Sequence, residues 1–177
     1  MTPAEATVGP REESAMPARG IKKARSHPPT KNPPRGVKTF PATSNRNING
    51  KIDYPREPPT NGDHAPIWQN CGFYKEPVKN ETAVHSLDHG AVWISYRPNL
   101  PASQIDVLRR LAKERYVLVS PYPGQPSPVI ATAWRNQLRL PSANDPRLEQ
   151  FVNQFRISVT APRAGNGCVL GVGRPGS

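Results

Sequence analysis

The chain has 177 residues, of which 35% are hydrophobic and 23 are proline, so we expect one domain with tails and a core of no more than about 120 residues. Its net charge of +11 favours partners with phosphate-rich or acidic surfaces. No window approaches the roughly 20 apolar residues of a transmembrane segment, and the first residues lack the apolar region of a signal peptide. As written, the chain is expected to be cytoplasmic, or extracytoplasmic if an export or anchor segment is missing.

Residues 1–51 are predicted to form a disordered basic tail or linker. They hold ten basic residues, three acidic residues and a single aromatic residue, Phe40, without apolar periodicity. Such a segment buries too little surface to offset the entropy of ordering. A solvated tail is the first interpretation, and binding to a protein partner or an anionic surface is the second. Nucleic acid is less favoured, because aromatic side chains for base stacking are missing.

The folded part is expected to be a single domain over residues 52–157. Its first segment, residues 54–74, is rich in proline, glycine and asparagine, which predicts a long irregular loop. The alternating pattern of "GAVWISYRP", residues 90–98, predicts a strand. The apolar spacing of "PASQIDVLRRLAKER", residues 101–115, predicts an amphipathic helix.

Two further strands and a second helix follow. The apolar run "YVLVSPYP" predicts the second strand, and residues 128–140 predict a third strand that bends near Asn136. Asp145 is expected to cap a helix that begins at Pro146 and carries apolar residues at helical spacing. Residues 158–177, rich in glycine and proline, are predicted to be a flexible C-terminal tail.

The predicted order is β-α-β-β-α, which indicates an α+β fold in the form of a small two-layer sandwich. A strand–helix–strand unit makes its two strands parallel, and the short link before the third strand favours an antiparallel arrangement. We expect Trp93, Trp134 and Leu118 to form the core together with the apolar stripes of both helices.

The two cysteines, Cys71 and Cys168, are 97 positions apart. They fit a disulfide only if the compartment is oxidising and the two ends of the domain meet. The absence of CxxC pairs excludes a zinc ribbon and a thioredoxin-type redox motif.

Three histidines, His64, His85 and His89, fall in the folded part and could share a metal ion. His85 and His89 flank the stretch "HSLDH", and four-residue spacing puts them on one side of either a helix or a strand. Neutral imidazoles suit zinc or copper, and two such ligands need at least one more. We therefore predict a zinc or copper site on all three histidines, with Asp88 orienting a ligand. Other side chains expected to complete or orient the site are Glu81, Asp63, Cys71, Trp68 and Tyr74.

The histidine spacing by itself has low specificity. Each histidine alone would more often be a hydrogen-bonded turn residue than a ligand. "HSLDH" is not the zinc-protease motif HExxH, because its acid is beside the second histidine. With methionine only at Met1 and Met16, a thioether-rich copper(I) site is disfavoured.

Several separated blocks resemble a bacterial family known as domain of unknown function 3105 (DUF3105). The blocks are "YPREPPTNGDHAPIWQNCGFY", "ETAVHSLDHGAVWISYRP", "LVSPYP" and "VIATAWRNQLRL", in that order, and the resemblance covers roughly residues 54–156. It implies that the three histidines belong together, but it implies no activity. The matching positions are Pro58, Pro59, Gly62, His64, Pro66, Trp68, Gly72, Tyr74, His85, Leu87, His89, Gly90, Tyr96, Pro98, Pro121, Tyr122 and Trp134.

The sequence departs from the family pattern at three points. It has Asn61 where serine is usual, Asp88 where glutamate is usual, and no glycine after Trp134. The exchange at Asp88 keeps the carboxylate but shortens its reach. Many members are anchored outside the cytoplasm by an N-terminal apolar helix that this sequence lacks, so the resemblance leaves the compartment open.

Three functional hypotheses follow. A metal-binding domain predicts a closed site without turnover. A metal-dependent enzyme, hydrolytic or redox, predicts an open coordination position lined by Trp68 and Tyr74, with Asp88 or Glu81 as general base. A structural or assembly protein predicts that the basic tail binds a partner, while the histidines only hold the loop against the first strand.

Overall fold

The computed structural model describes residues 23–28 and 32–176. Within that part of the chain, one six-stranded sheet and three helices confirm the predicted α+β class. The elements are β1 (Lys38–Thr39), β2 (Gly72–Phe73), α1 (Asn80–Asp88), β3 (Val92–Tyr96), α2 (Ala102–Leu111), β4 (Val117–Pro121), β5 (Val129–Ala133), β6 (Asn136–Leu140) and α3 (Pro146–Phe155).

The sheet is mixed, with strand order β1-β6-β5-β3-β4-β2. β3 and β4 are parallel neighbours, as a strand–helix–strand unit requires, and β2 is parallel to β4. β5 is antiparallel as predicted, but it pairs with β3, on the other side from β4. The predicted third strand is in fact a hairpin of β5 and β6, because the chain reverses at Arg135, whose φ is +69°.

The sheet is covered on both faces, which corrects the predicted two-layer sandwich to three layers. The side chains of a strand alternate between faces, so Val92 and Ile94 lie in one apolar cluster with α2 and α3. Trp93 points the other way, where it packs with Leu118, Trp134 and the apolar residues of α1. The expectation of one core shared by these three residues and both predicted helices is therefore wrong.

The predicted N-terminal tail is corrected for its later part, which belongs to the domain. β1 pairs antiparallel with β6, and the amide of Phe40 donates to the carbonyl of Arg135 over 2.8 Å. Further upstream, His27 forms an isolated bridge with Ser158. Backbone hydrogen bonds hold this segment against the domain. Because every residue can form them, they leave no apolar periodicity in the sequence. Residues 1–22 and 29–31 of the predicted tail lie outside the described residues.

The predicted C-terminal tail is corrected in the same way over residues 158–176. Cys168 is bonded to Cys71, so the two ends of the domain do meet. Val172 forms a bridge with Gln69, and its amide donates to the carbonyl of Trp68. A covalent bond and backbone hydrogen bonds thus order a segment whose composition is typical of a loop.

In the described part of the chain, no helix has both the length and the apolar content that crossing a bilayer requires.

Candidate metal centre

The four polar residues of the site come from α1, the residue after it, and the irregular loop. His85 and Asp88 lie on α1, and His89 is the residue at its C-terminal cap. One helical turn separates His85 from His89, so their rings are in contact, perpendicular to each other with centroids 4.6 Å apart. The loop brings His64 to the same distance from His85. All four side chains are fully buried.

Backbone carbonyls fix the tautomer of all three imidazoles. His64 Nδ1 lies 2.8 Å from the carbonyl of Gly62, and His85 Nδ1 lies 2.6 Å from that of Ala65. His89 Nδ1 lies 2.7 Å from the carbonyl oxygen of a residue near the C-terminus, Gly167. A carbonyl oxygen only accepts, so each Nδ1 carries the proton and donates it. In the neutral rings, every Nε2 is therefore unprotonated and offers a lone pair.

These Nε2 atoms lie in one buried cluster, and no hydrogen-bond donor for their lone pairs is found among the described residues. The Nε2 atoms of His85 and His89 are 3.1 Å apart, and neither brings a proton to that contact when neutral. The Nε2 atom of His64 is buried and has no hydrogen-bond partner among the described residues. A cation at the centre, either an added proton or a metal ion, would satisfy these lone pairs.

A proton is the less favourable cation, because burial penalises the charged form of each ring. Burial lowers the pKa of His85 to about 2, with a further contribution from the neighbouring His89 and His64. Burial also lowers the pKa of His89 to about 4. The pKa of His64 is lowered by burial as well, although the nearby Asp88 opposes that shift. The rings are therefore neutral at physiological pH and available as ligands.

Asp88 adds a carboxylate to the same cluster. Its Oδ2 accepts a hydrogen bond from Arg163 Nη1 at 3.2 Å, while its Oδ1 is buried and has no hydrogen-bond partner in the part of the chain that the structure describes. Burial raises the pKa of Asp88, and the charge and hydrogen bond of Arg163 oppose that rise. Ligand atoms of Asp88, His64 and His85 lie within 4.8 Å of one another, a separation compatible with one shared ion.

Two tryptophans shield the cluster from solvent. The ring of Trp68 lies 5.0 Å from that of His89 and 5.6 Å from that of His85, between centroids. Trp134 meets His64 edge-on at 6.2 Å. Trp68 is itself fixed, because its Nε1 donates to the carbonyl of Val169. Trp68 therefore lies beside the histidines, where the sequence placed it, and its role in completing or orienting the site stays a prediction.

The other predicted neighbours are engaged elsewhere. Glu81 accepts a hydrogen bond from the amide of Ile52, and Asp63 forms an ion pair with Arg46 at 3.0 Å. Cys71 is in the disulfide. The Tyr74 hydroxyl donates to the carbonyl of Asn70, and its side chain lines a surface groove of about 940 Å³.

Sequence reasoning missed two contributors, Arg163 and the carbonyl of Gly167. Both lie in the segment that was predicted to be a tail. The signal that could have found them is Cys168, because a disulfide to Cys71 would bring its neighbours next to the histidine-bearing loop.

Residues 45–169 match the sequence profile of a family described as "Protein of unknown function (DUF3105)". The chain belongs to this family. The match confirms the resemblance and extends it at both ends, so that it includes Arg163 and Gly167. No curated protein and no solved structure was found to match the chain. The four site residues of this DUF3105 domain lie within the matched range.

Proposed function

We propose that this DUF3105 domain binds one transition-metal ion, zinc or copper, through the Nε2 atoms of His64, His85 and His89. The carboxylate of Asp88 is the fourth ligand. The observation that supports this most is the hydrogen bond from every Nδ1 to a backbone carbonyl, which leaves three Nε2 lone pairs in one buried cluster of side chains. A hydrogen-bonded structural histidine needs no such clustering.

The distances suit ions of this size. Zinc lies about 2.0–2.1 Å from histidine nitrogen, so two nitrogens in a tetrahedral site are about 3.3 Å apart. His85 and His89 present their Nε2 atoms 3.1 Å apart. The ligand atoms of His64, His85 and Asp88 lie within 4.8 Å of one another. To come within about 3.3 Å around one zinc ion, each of two such atoms would have to move by less than about 1 Å.

The donor chemistry narrows the choice of ion. Imidazole and carboxylate ligands suit zinc and copper(II), whereas soft thiolate and thioether ligands select copper(I). Both cysteines are in the disulfide and so provide no thiolate. Three neutral rings and one carboxylate would leave a dication with a net charge of +1, which is less costly to bury than the bare ion.

Complete burial supports a binding role in preference to catalysis. A catalytic zinc keeps a coordination position open to water or substrate, while a structural site is closed by protein ligands. Here all four side chains have no exposed surface, and Trp68 packs against two of the rings. The expected consequence of binding is stabilisation of the fold without turnover.

Metal analysis of purified protein tests the proposal. After incubation with zinc and removal of excess ion, the wild type is expected to retain about one ion per chain. His64→Ala, His85→Ala and His89→Ala should each retain less than about a tenth of that.

His27→Ala is the matched control. His27 is the remaining histidine. Its two ring nitrogens lie within hydrogen-bond distance of the carbonyls of Pro28 and Arg156, outside the cluster. It should retain metal as the wild type does. Equal and substoichiometric metal in all five proteins, for copper as well as zinc, would overturn the proposal.

A further inference from the structure

The wall of the histidine cluster includes a short piece of chain, residues 163–169, here called the closing segment. Its backbone is bonded to the end of α1: the amide of Arg163 donates to the carbonyl of Asp88 at 2.9 Å, and that of Gly165 to the carbonyl of His89 at 3.0 Å. The Arg163 side chain also covers the Asp88 carboxylate. The closing segment thus contacts two of the four proposed ligands.

The same segment orients His89 and Trp68. The carbonyl of Gly167 accepts the Nδ1 proton of His89 at 2.7 Å, and the carbonyl of Val169 accepts from Trp68 Nε1 at 3.0 Å. If the segment moved away, His89 would lose the bond that fixes its tautomer. The main aromatic shield would lose its anchor as well.

The disulfide holds the closing segment in place. Cys168 is part of that segment, and its partner Cys71 lies 97 positions earlier, in the loop that also carries Trp68. The amide of Cys71 donates to the carbonyl of Cys168 at 2.8 Å. Apart from this covalent bond, the segment is held by hydrogen bonds, by one partly exposed ion pair and by the burial of residues 164–168, which contain no large apolar side chain.

The disulfide is also within reach of a small reactant. Both cysteines line a surface pocket of about 250 Å³, together with Lys113 and Arg115. A thiolate attacks a disulfide in line with it, and nearby cations favour the thiolate over the thiol. The pocket therefore offers a route to the sulfur atoms.

We infer that the Cys71–Cys168 disulfide is a redox latch that keeps the metal in place, and that a dithiol reductant opens it. This inference rests on the proposed metal binding. In the exchange, a thiolate of the dithiol attacks one sulfur, forms a mixed disulfide and releases the other cysteine as a thiolate. The second thiol of the reductant then displaces the first cysteine. Cys71 and Cys168 end as two thiols, and the dithiol, having lost two electrons and two protons, ends as a disulfide.

The test compares the rates at which zinc leaves two proteins in the absence of any reductant. Wild type and the double variant Cys71→Ser, Cys168→Ser are loaded with zinc and mixed with a chromophoric chelator. Release from the double variant is expected to be faster by about tenfold or more, since a tenfold change needs only about 1.4 kcal/mol of local opening.

Leu108→Ala is the control for overall stability. Leu108 is fully buried in the cluster on the opposite face of the sheet, so the substitution weakens the fold but leaves the latch intact. It should release zinc at a rate close to that of wild type. If Leu108→Ala releases zinc as fast as the double variant, release follows global unfolding and the latch is overturned.

A second measurement covers the case in which the double variant fails to fold. Wild type is reduced with a phosphine, and amide hydrogen exchange is compared before and after reduction. Amides of the closing segment should exchange faster, while those of β3 and β5 stay protected; unchanged exchange in the segment overturns the latch. Wild type that holds neither zinc nor copper overturns the proposed function itself, whereas wild type that holds the metal but releases it at the same rate in every form overturns only the latch.

Discussion

Three imidazoles and a carboxylate, those of His64, His85, His89 and Asp88, are buried on the face of the sheet that α1 covers, where apolar side chains would be expected. Burying polar groups is tolerated where they are hydrogen-bonded, and each Nδ1 has a backbone carbonyl as its partner. Only half of each ring is satisfied in this way. The Nε2 atoms of His85 and His89 lie 3.1 Å apart, and ligand atoms of His64, His85 and Asp88 lie within 4.8 Å of one another, so the four side chains form one cluster.

The first prediction concerns acid stability of the metal-free protein. The pKa of His85 and His89 is lowered on folding, to about 2 and about 4, so the native state resists protonation while the unfolded state accepts it below about 6.5. Stability conferred by the neutral rings is therefore complete above pH 6.5 and is lost as pH falls below it. Each ring contributes up to ~1.4 kcal/mol per pH unit. Urea unfolding in chelator at pH 7, 6 and 5 measures this.

His89→Gln provides the comparison for that experiment. Glutamine keeps an amide donor for the Gly167 carbonyl but has no ionisable group. The variant should lose less unfolding free energy between pH 7 and pH 5 than the wild type does. A wild-type unfolding free energy that does not change over this range would contradict the prediction.

The second prediction concerns the carboxylate. Asp88→Asn keeps the shape of the side chain but removes the charge that faces His64 and Arg163. Zinc affinity, measured by competition with a chelator, is expected to fall by more than the roughly 10- to 100-fold that loss of a ligand-orienting group costs, because the variant loses a charged ligand. Asp106→Asn is the matched control, because that carboxylate is largely exposed and only pairs with Arg109 at 4.0 Å. Equal affinity in all three proteins would show that Asp88 has no part in binding.

Residue types and their spacing predicted that His64, His85, His89 and Asp88 lie close together, but not what holds them there. Glu81, Asp63, Cys71 and Tyr74 were expected beside them as well and are engaged elsewhere. His85 and His89 are four apart, and this periodicity is readable from sequence. The carbonyls of Gly62, Ala65 and Gly167 carry no side-chain signature, because every residue has such a group. Their contribution depends on the path of the backbone alone.

Among the elements, α1 is the one that the sequence left undecided between helix and strand. Seven of its nine residues are buried, and they include Thr82, Ser86 and two site residues as well as apolar ones. A helix that is buried nearly all round and carries polar ligands shows no apolar stripe, so periodicity cannot reveal it. By contrast, α2 and α3 each have one covered face and were predicted correctly.

The hairpin of β5 and β6 was missed for a different reason. Its reversal is at Arg135, which has φ of +69°, and a turn with this conformation usually contains glycine or asparagine. The sequence has Trp134 and Arg135 there. The amide of Arg135 is tied to the carbonyl of Thr60, a contact with the loop that no local pattern encodes.

The third prediction concerns the end of α1, where Gly90 has φ of +97°. A Cβ at this position would lie 3.0 Å from the Cα of Ile157, so alanine brings both backbone strain and a clash with backbone. Gly124→Ala is the control, because its φ is +79° and nothing lies within 4 Å of an added Cβ. Gly124→Ala should cost about 1 kcal/mol and Gly90→Ala ~1–3 kcal/mol more, by urea unfolding.

Gly90→Ala should also weaken zinc binding, since Gly90 directly follows His89 and its carbonyl accepts from the amide of Ile157. Gly124→Ala should leave affinity unchanged. Equal unfolding free energies for the two variants would contradict the role assigned to close packing at Gly90.

At the scale of the whole molecule, both ends of the described chain close around the site. The N-terminal segment flanks His64, since the amide of Ile48 donates to the carbonyl of His64 at 2.8 Å and the amide of His64 donates to that of Arg46 at 3.0 Å. The C-terminal segment does the same for His89. Contacts between residues so distant in sequence are set by the fold as a whole, and local composition pointed instead to two tails.

The fourth prediction follows from this closure. Removing residues 1–51 deletes β1 and both backbone hydrogen bonds to His64. Zinc affinity should therefore fall at least about tenfold. The unfolding free energy should fall by several kcal/mol, at roughly 1 kcal/mol per lost hydrogen bond. Removing residues 1–22 deletes none of these contacts and should change neither quantity. A disordered tail would make the two deletions equivalent. Chelator competition and urea unfolding on both truncated proteins distinguish these cases. If the longer deletion keeps the zinc affinity and the unfolding free energy of the wild type, residues 23–51 are dispensable for both the fold and the metal centre.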